Sequence, residues 1–262
     1  MNIPLTTSAQ NTWCPGCSNF GILGAFRQVI EKLTTEQELS LHNLVIASGI
    51  GCHGKITDYL QLNSFTALHG RLVPVMTGIK CANTALTVVG FAGDGDAYSE
   101  GLEHLIHAAR RNTDITLFVH NNEVFALTAG QATAASRQGF ESKSSPDGSP
   151  EAPINAVRTM LGAGASFVAR SVASDVNLTK HLMTRAIMHR GFSFVEIMQP
   201  CLTFSDTRED LAKKIYHLDE QQSLDNLTTS IERSDAKDGR VPLGIFYAVP
   251  RPTFEENLGL IT

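Results

Sequence analysis

Short apolar runs alternate along this chain with stretches in which apolar residues recur every three or four positions. Residues 44–47, 86–92, 115–119, 166–169 and 192–198 are the apolar runs, several rich in β-branched residues. Runs of that length and composition fit strands buried on both faces. Residues 19–33, 101–111, 154–161 and 178–189 carry the helical spacing. Their alternation predicts an α/β fold with a doubly wound, mostly parallel sheet. Residues 139–153 are rich in Ser, Pro and Gly and read as a surface loop. No internal repeat interrupts the pattern. Beyond Leu211 the chain is more polar, so 1–210 reads as the main domain. Residues 211–262 read as a C-terminal extension packed on the surface or on a partner chain.

In open sheets of this kind ligands bind outside the carboxyl ends of the strands. The unusual residues of the chain gather at those ends. Residues 49–55 follow one run, 93–96 a second, 121–131 a third, and Cys201 a fourth.

Composition narrows the chemistry. The chain has 262 residues, 42% of them hydrophobic, enough for a sizeable core, and a formal net charge of −5. That balance argues against a nucleic-acid partner and for a small-molecule substrate. The longest apolar runs fall well short of a bilayer span, so no membrane partner is expected. The first ten residues lack the basic-then-apolar order of a secretion signal, and a cytoplasmic location is expected. In that compartment five cysteines point to metal or redox chemistry rather than to disulfides.

Gly93-Asp94-Gly95-Asp96 closes one run and precedes a helix. Glycines there let backbone N–H groups approach a phosphate at a helix N-terminus. An aspartate in that place repels a bare phosphate but fits one bridged by Mg²⁺, which takes a few protein oxygens plus phosphate oxygens. A second oxygen donor stands 122 − 94 = 28 residues on, at Asn122, after a helix and a strand. The carbonyl of Val124 can complete the set. An ordinary Gly/Asp turn is the competing reading of the four residues taken alone.

Cys14-Pro15-Gly16-Cys17 is a Cys-x-x-Cys element. A thioredoxin-like pair needs a preceding strand that residues 1–12 do not supply. Structural zinc usually draws on two close pairs, and the remaining cysteines are scattered. An iron–sulfur cluster needs four thiolates from any loops that converge, and Cys52 and Cys201 both follow strands. Cys81 falls in an expected helix, 79–85, as a small apolar residue.

The order of motifs is more specific than any one of them. Gly-Asp-Gly followed by Asn121-Asn122 resembles the thiamine-diphosphate signature. Trp13-Cys14-Pro15-Gly16-Cys17, Ser48-Gly49-Ile50-Gly51-Cys52, Leu68-His69-Gly70-Arg71, the stretch from Arg110 through Asn122 to Gln131, and Gln199-Pro200-Cys201 occur in sequence. Together they resemble the β subunits of 2-oxoacid:ferredoxin oxidoreductases over roughly residues 11–205.

That resemblance implies a pyrophosphate-type thiamine-diphosphate domain. It implies Mg²⁺ held by Asp94, Asn122 and the Val124 carbonyl. Ile50, Gly51, Cys52, His53, His69, Gly95, Asp96, Ala126 and Leu127 would line the cofactor, and Cys14, Cys17, Cys52 and Cys201 would hold a [4Fe–4S] cluster. The implied reaction is oxidative decarboxylation of a 2-oxo acid such as pyruvate or 2-oxoglutarate, with the acyl group passed to coenzyme A and electrons to ferredoxin. The carboxylate that faces the aminopyrimidine in thiamine enzymes is expected from a separate α subunit, or an α–γ pair. Lys55 and Arg71 are possible substrate contacts. Lys55 stands where the family varies with substrate, and its alternative is a solvated lysine. Arg71 leans toward a structural or interface role. Ala129 stands where some relatives carry lysine. Ser18, Phe125-Ala126 and Ala134-Ala135 also depart from the usual pattern and bear on the pocket's shape. Two alternatives are carried: a non-redox thiamine-dependent decarboxylase subunit, and a zinc-stabilised module without catalysis.

Overall fold

The apolar runs form the middle of one sheet. The computed structural model describes residues 5–219, 222–235 and 239–261. In chain order its strands are β1 (Leu44–Ser48), β2 (Asn63–Thr66), β3 (Thr87–Gly93), β4 (Thr116–Asn121), β5 (Val124–Phe125), β6 (Gln131–Ala132), β7 (Phe167–Val172), β8 (Ser193–Met198), β9 (Ile215–His217) and β10 (Val241–Ala248). The helices are α1 (Asn19–Thr35), α2 (Ile56–Tyr59), α3 (Leu72–Ala82), α4 (Leu102–Arg111), α5 (Ala156–Gly162), α6 (Val176–Ile187), α7 (Arg208–Lys214), α8 (Leu227–Ser234) and α9 (Phe254–Asn257).

Eight strands pair in the order β2-β1-β3-β4-β8-β7-β10-β9. The pairings from β2 through β7 are all parallel, and β10 joins β7 antiparallel. Every residue of β4 and β7 is buried, as continuous apolar runs require. One face packs on α1 and α6 through Phe26, Ile30, Met183 and Ile187. The opposite face packs on α3, α4 and α5 through Met76, Leu105 and Met160. Among the described residues no helix is long and apolar enough to cross a membrane.

Three local differences from the sequence reading have physical causes. The helix expected at 79–85 is Leu72–Ala82 and stops before Asn83. Pro74 sits in its first turn, where no intrahelical N–H bond is lost. Strand β2 shows no apolar run because it is an edge strand with all four residues exposed. Part of the segment read as an extension enters the sheet itself: Leu243 and Phe246 of β10 are fully buried. A register shift between Ile245 and Tyr247 breaks the alternation that would have marked that strand.

The chain leaves β1 toward β2 on one side and returns to β3 on the other. The crevice between the carboxyl ends of β1 and β3 is therefore a topological switch point.

Candidate functional site

All nine residues expected around the cofactor, and all three expected around the cation, line a single cleft at that switch point. Three elements build it: the turn after β1, the turn after β3, and the segment after β4.

The turn after β1 is built around glycines. A Cβ on Gly49 would lie 1.8 Å from Asp96 Oδ2, so only glycine admits that carboxylate. Gly51 has φ +150°, and a Cβ there would press on the His53 ring at 2.8 Å. After β3, Asp94 opens a π-helical turn, Gly95–Ser99, an irregularity common at functional sites. A Cβ on Gly95 would fall 2.2 Å from the Phe125 ring.

Asp94 is buried, at 1% exposure. Its Oδ1 accepts the Asn122 backbone N–H at 3.2 Å and its Oδ2 accepts the Thr133 hydroxyl at 2.5 Å. Among the described residues it has no ion-pair partner. Burial pushes its carboxyl up to about 7, against the pull of the Thr133 and Asn122 donors. Asn122 Oδ1 accepts the Val124 N–H at 3.1 Å, which closes the turn that carries both residues. A buried carboxylate, an amide oxygen and a carbonyl oxygen at one place are the hard donor set that Mg²⁺ takes. The missing countercharge on Asp94 and the glycine cradle beside it fit a metal-bridged diphosphate.

Asp96 lies deeper. Its Oδ1 accepts N–H groups from Gly70 at 2.7 Å and Ile50 at 3.4 Å, which ties the turn after β1 to the Leu68–Arg71 loop. Burial raises its carboxyl, with the Gly70 bond and His69 opposing. His53 Nε2 stands 3.8 Å and His69 Nδ1 3.6 Å from this carboxylate, and neither nitrogen has a hydrogen-bond partner. Burial, aided by His120 and His69, holds His53 well below the usual imidazole range. Its contact with Asp96 is therefore that of a neutral ring and not an ion pair.

The cysteines gather beside the cleft. Cys17 N–H bonds the Cys14 carbonyl at 3.0 Å, as a Cys-x-x-Cys turn allows. Trp13 donates its indole N–H to the Cys52 carbonyl at 2.6 Å and packs edge-on to Phe20 and Tyr59. Gln199 Nε2 donates to Cys17 Sγ and the Thr203 hydroxyl to Cys14 Sγ, both at 3.6 Å. Burial raises the thiols of Cys17 and Cys52, and each also feels Cys14 and Cys201. Cys52 lies within electrostatic reach of the other three thiols, and donors turn to the sulfurs of Cys17 and Cys14, which suits thiolate ligation of a cluster. Among the described residues no group of three His, Cys, Asp or Glu is drawn tightly enough for a single metal ion.

Lys55 and Arg71 lie outside the cleft lining. Lys55 Nζ donates to Thr12 Oγ1 at 2.9 Å. Arg71 donates to the carbonyls of Gly70 and Glu100, on the structural side of its expectation. Cys81 stands apart on α3. Phe125 enters the lining, where its departure from the usual pattern is expected to shape the pocket, and Thr128 lines it from the same segment, whereas Thr133 belongs to the site without a motif of its own. Thr133 sits 39 residues from Asp94, and nothing local in the sequence announces the contact.

Comparison with known proteins agrees with this geometry. Residues 49–197 match the family described as thiamine pyrophosphate enzyme, C-terminal TPP binding domain. Residues 201–262 match the family for the C-terminal part of the pyruvate ferredoxin oxidoreductase beta subunit. The chain is 40% identical over 252 residues to the 2-oxoacid:ferredoxin oxidoreductase subunit beta of Saccharolobus solfataricus, covering 90% of this chain and 81% of that one. It is 40% identical over 209 residues to the 2-oxoglutarate oxidoreductase subunit KorB of Mycobacterium tuberculosis, covering 80% of this chain and 55% of that one. Among solved structures, the 2-oxoglutarate:ferredoxin oxidoreductase of Magnetococcus marinus with 2-oxoglutarate, coenzyme A and succinyl-CoA bound superposes with a TM-score of 0.94 at 32% identity. The match covers 98% of this chain and 87% of that one.

Proposed function

The chain belongs to the β subunits of the 2-oxoacid:ferredoxin oxidoreductases, and on that premise we propose how its residues serve oxidative decarboxylation. The cleft binds thiamine diphosphate with Mg²⁺, through Asp94, Asn122 and the Val124 carbonyl. Cys14, Cys17, Cys52 and Cys201 hold a [4Fe–4S] cluster beside it. The observation that carries the reading is Asp94: a buried carboxylate in a glycine cradle, with hydrogen-bond donors but no countercharge among the described residues.

When bound, the coenzyme supplies a nucleophilic carbon and an electron sink for loss of CO₂, and the cluster supplies a one-electron outlet. The chain itself positions and shields. Gly49, Gly51 and Gly95 keep side chains out of the cradle. Asp96 fixes the Ile50 and Gly70 amides, so the turns that face the cofactor keep one shape. His53, held neutral, adds no fixed charge near the thiols. Cys52 connects the two halves, because the turn that carries it lines the cleft and also offers a thiol to the cluster.

The chain works as one subunit of a larger oxidoreductase. An α subunit, alone or with a γ part, supplies the aminopyrimidine side of the site, coenzyme A accepts the acyl group, and ferredoxin accepts the electrons. The substrate is a 2-oxo acid such as pyruvate or 2-oxoglutarate, and Lys55, bonded to Thr12 outside the cleft lining, would meet only a carboxylate that reaches beyond that lining. The test is anaerobic co-purification with the partner subunits. The complex should then be assayed with each acid, with and without coenzyme A. Acid-dependent, coenzyme A-dependent reduction of a low-potential acceptor supports the reading. Decarboxylation without electron output refutes it in favour of a non-redox decarboxylase.

A further inference from the structure

A buried charge network lies behind the cleft, and its side chains line neither the cofactor nor the cation. Glu196 on β8 is 2% exposed and faces Arg170 on β7 in the sheet register. Arg170 Nε donates to Glu196 Oε2 at 2.7 Å, and its guanidinium lies 5.7 Å from the centre of the Phe246 ring. The second carboxylate oxygen, Oε1, accepts two more bonds, from the Tyr98 hydroxyl at 3.1 Å and from Asn121 Nδ2 at 2.9 Å.

Those two donors come from the two segments that present the cation donors. Tyr98 sits in the π-helical turn that begins next to Asp94. Asn121 is the last residue of β4 and starts the turn that carries Asn122 and Val124. A single oxygen of Glu196 therefore ties both segments to one point of the sheet.

Stability alone does not account for the network. A buried ion pair seldom gains over an apolar pair of equal volume, because desolvation offsets the attraction. Orientation does account for it. An ionised carboxylate only accepts hydrogen bonds, so it compels the Asn121 amide to present its NH₂ group. The amide oxygen must then point the other way, where it accepts the Glu123 N–H at 3.2 Å. Glu123 is held at φ +61°, a left-handed conformation that is unfavourable for a residue with a Cβ. That turn gives Asn122 and Val124 their places in the cleft. Glu123 keeps it because its N–H is captured.

We propose that Glu196 is a positioning residue for the divalent-cation site, acting through Asn121 and Tyr98. The proposal rests on the reading of the cleft as a Mg²⁺–thiamine diphosphate site. It makes Glu196 an outer-shell group of the kind whose loss weakens metal binding about 10–100-fold while the ligands remain.

The test measures thiamine diphosphate binding to the assembled complex as a function of Mg²⁺ concentration, alongside the thermal midpoint without cofactor. Two variants separate packing from positioning. Glu196→Gln leaves a side chain of the same size whose NH₂ group opposes either Arg170 or the Asn121–Tyr98 pair. The double variant Glu196→Leu, Arg170→Met refills the volume with apolar atoms. Both are expected to raise the half-saturating Mg²⁺ concentration about tenfold or more. The double variant removes both buried charges together, and its cofactor-free midpoint reads what the Tyr98 hydroxyl and the Asn121 amide lose with their acceptor. Adding Asn121→Ala to either variant is expected to give no further rise, because the effect passes through that amide. A Mg²⁺ dependence within about twofold of wild type in Glu196→Gln, or full additivity with Asn121→Ala, overturns the proposal. Binding of thiamine diphosphate by the wild-type complex with no need for a divalent cation overturns the underlying reading and this proposal together.

Discussion

Thr133 donates its hydroxyl hydrogen to Asp94 Oδ2 across 2.5 Å, inside a site where that carboxylate has hydrogen-bond donors but no ion-pair partner among the described residues. The arrangement gives the cofactor-free chain a pH signature. The Asp94 carboxyl titrates at about 7 in the fold and at about 3.8 when exposed. The folded state therefore binds the extra proton between those values, and this contribution to stability is full below 3.8. It is lost as pH rises through 7. At about 1.36 kcal/mol per unit, the loss amounts to roughly 4 kcal/mol. His53 and His120, held low by burial, gain stability as pH rises over the same window, so the Asp94 contribution is read against Asp94→Asn. From pH 5 to pH 8 the cofactor-free wild type should lose more, or gain less, in denaturant midpoint than the variant. Mg²⁺ with thiamine diphosphate should close the gap between the two proteins. The same pH dependence in both would contradict the raised Asp94 carboxyl.

Asp94→Asn removes the charge and keeps the shape. Its amide oxygen can still accept the Asn122 N–H, and Thr133 can accept from its NH₂ group. The variant should be more stable than wild type at pH 8 without cofactor, by up to a few kcal/mol. It should gain nothing from Mg²⁺ and thiamine diphosphate, where wild type at 100 times the dissociation constant gains about 2.7 kcal/mol. Calorimetry with and without ligand reads both effects, and an equal ligand gain in the two proteins refutes the assignment.

Gly49→Ala places a Cβ 1.8 Å from Asp96 Oδ2 and must displace that carboxylate. Its bonds to Gly70 and Ile50 are then lost together. Destabilisation of about 1–3 kcal/mol is expected from overpacking alone. Thiamine diphosphate affinity should fall beyond what that loss explains. Retention of wild-type affinity would show that the Ile50 and Gly70 turns do not depend on Asp96.

Much of this architecture is legible in the amino-acid order alone. Glycines and carboxylates next to strand ends are readable because a doubly wound sheet brings its strand ends together whatever the intervening helices do. Asp94 and Asn122 fall into one cleft for that reason, though 28 residues apart. The thiol of Cys201, after β8, comes within electrostatic reach of Cys17 for the same reason, whereas Cys14 is there because it shares a turn with Cys17. Thr133, Trp13 and Glu196 are not readable in this way. Each acts through a contact whose partner is set by loop conformation or sheet register, and a threonine or glutamate alone has many ordinary uses. Strand β10 is hidden because it runs antiparallel beside β7 with a register shift, so it shows neither a continuous run nor a clean alternation.

Lys55 offers a readable specificity experiment. Its ammonium is fixed by Thr12 rather than by an acid in the hydrogen bond the structure gives it. Lys55→Met should raise KM for 2-oxoglutarate about tenfold, near 1.4 kcal/mol, the usual loss of a charge-assisted bond, and leave KM for pyruvate close to wild type. Equal changes for both acids would assign the lysine to solvation or to cluster electrostatics.

Gln199 donates to Cys17 Sγ at 3.6 Å and is 2% exposed. Hydrogen bonds to cluster sulfurs stabilise the reduced, more negative state. Gln199→Leu should shift the midpoint potential to a more negative value in a redox titration of the intact complex. An unchanged potential would leave that bond without a role in tuning.

One shared edge of the sheet presents both the Asp94 cleft and the thiols of Cys14, Cys17, Cys52 and Cys201, and elemental and coenzyme analysis of the anaerobically purified complex tests most directly whether they hold a coenzyme with Mg²⁺ and an iron–sulfur cluster. Iron at about four atoms per chain beyond whatever the partners carry, lost on Cys52→Ala, together with one thiamine diphosphate, is the predicted outcome. Zinc in place of iron with no thiamine diphosphate, or iron content indifferent to Cys52, would contradict it.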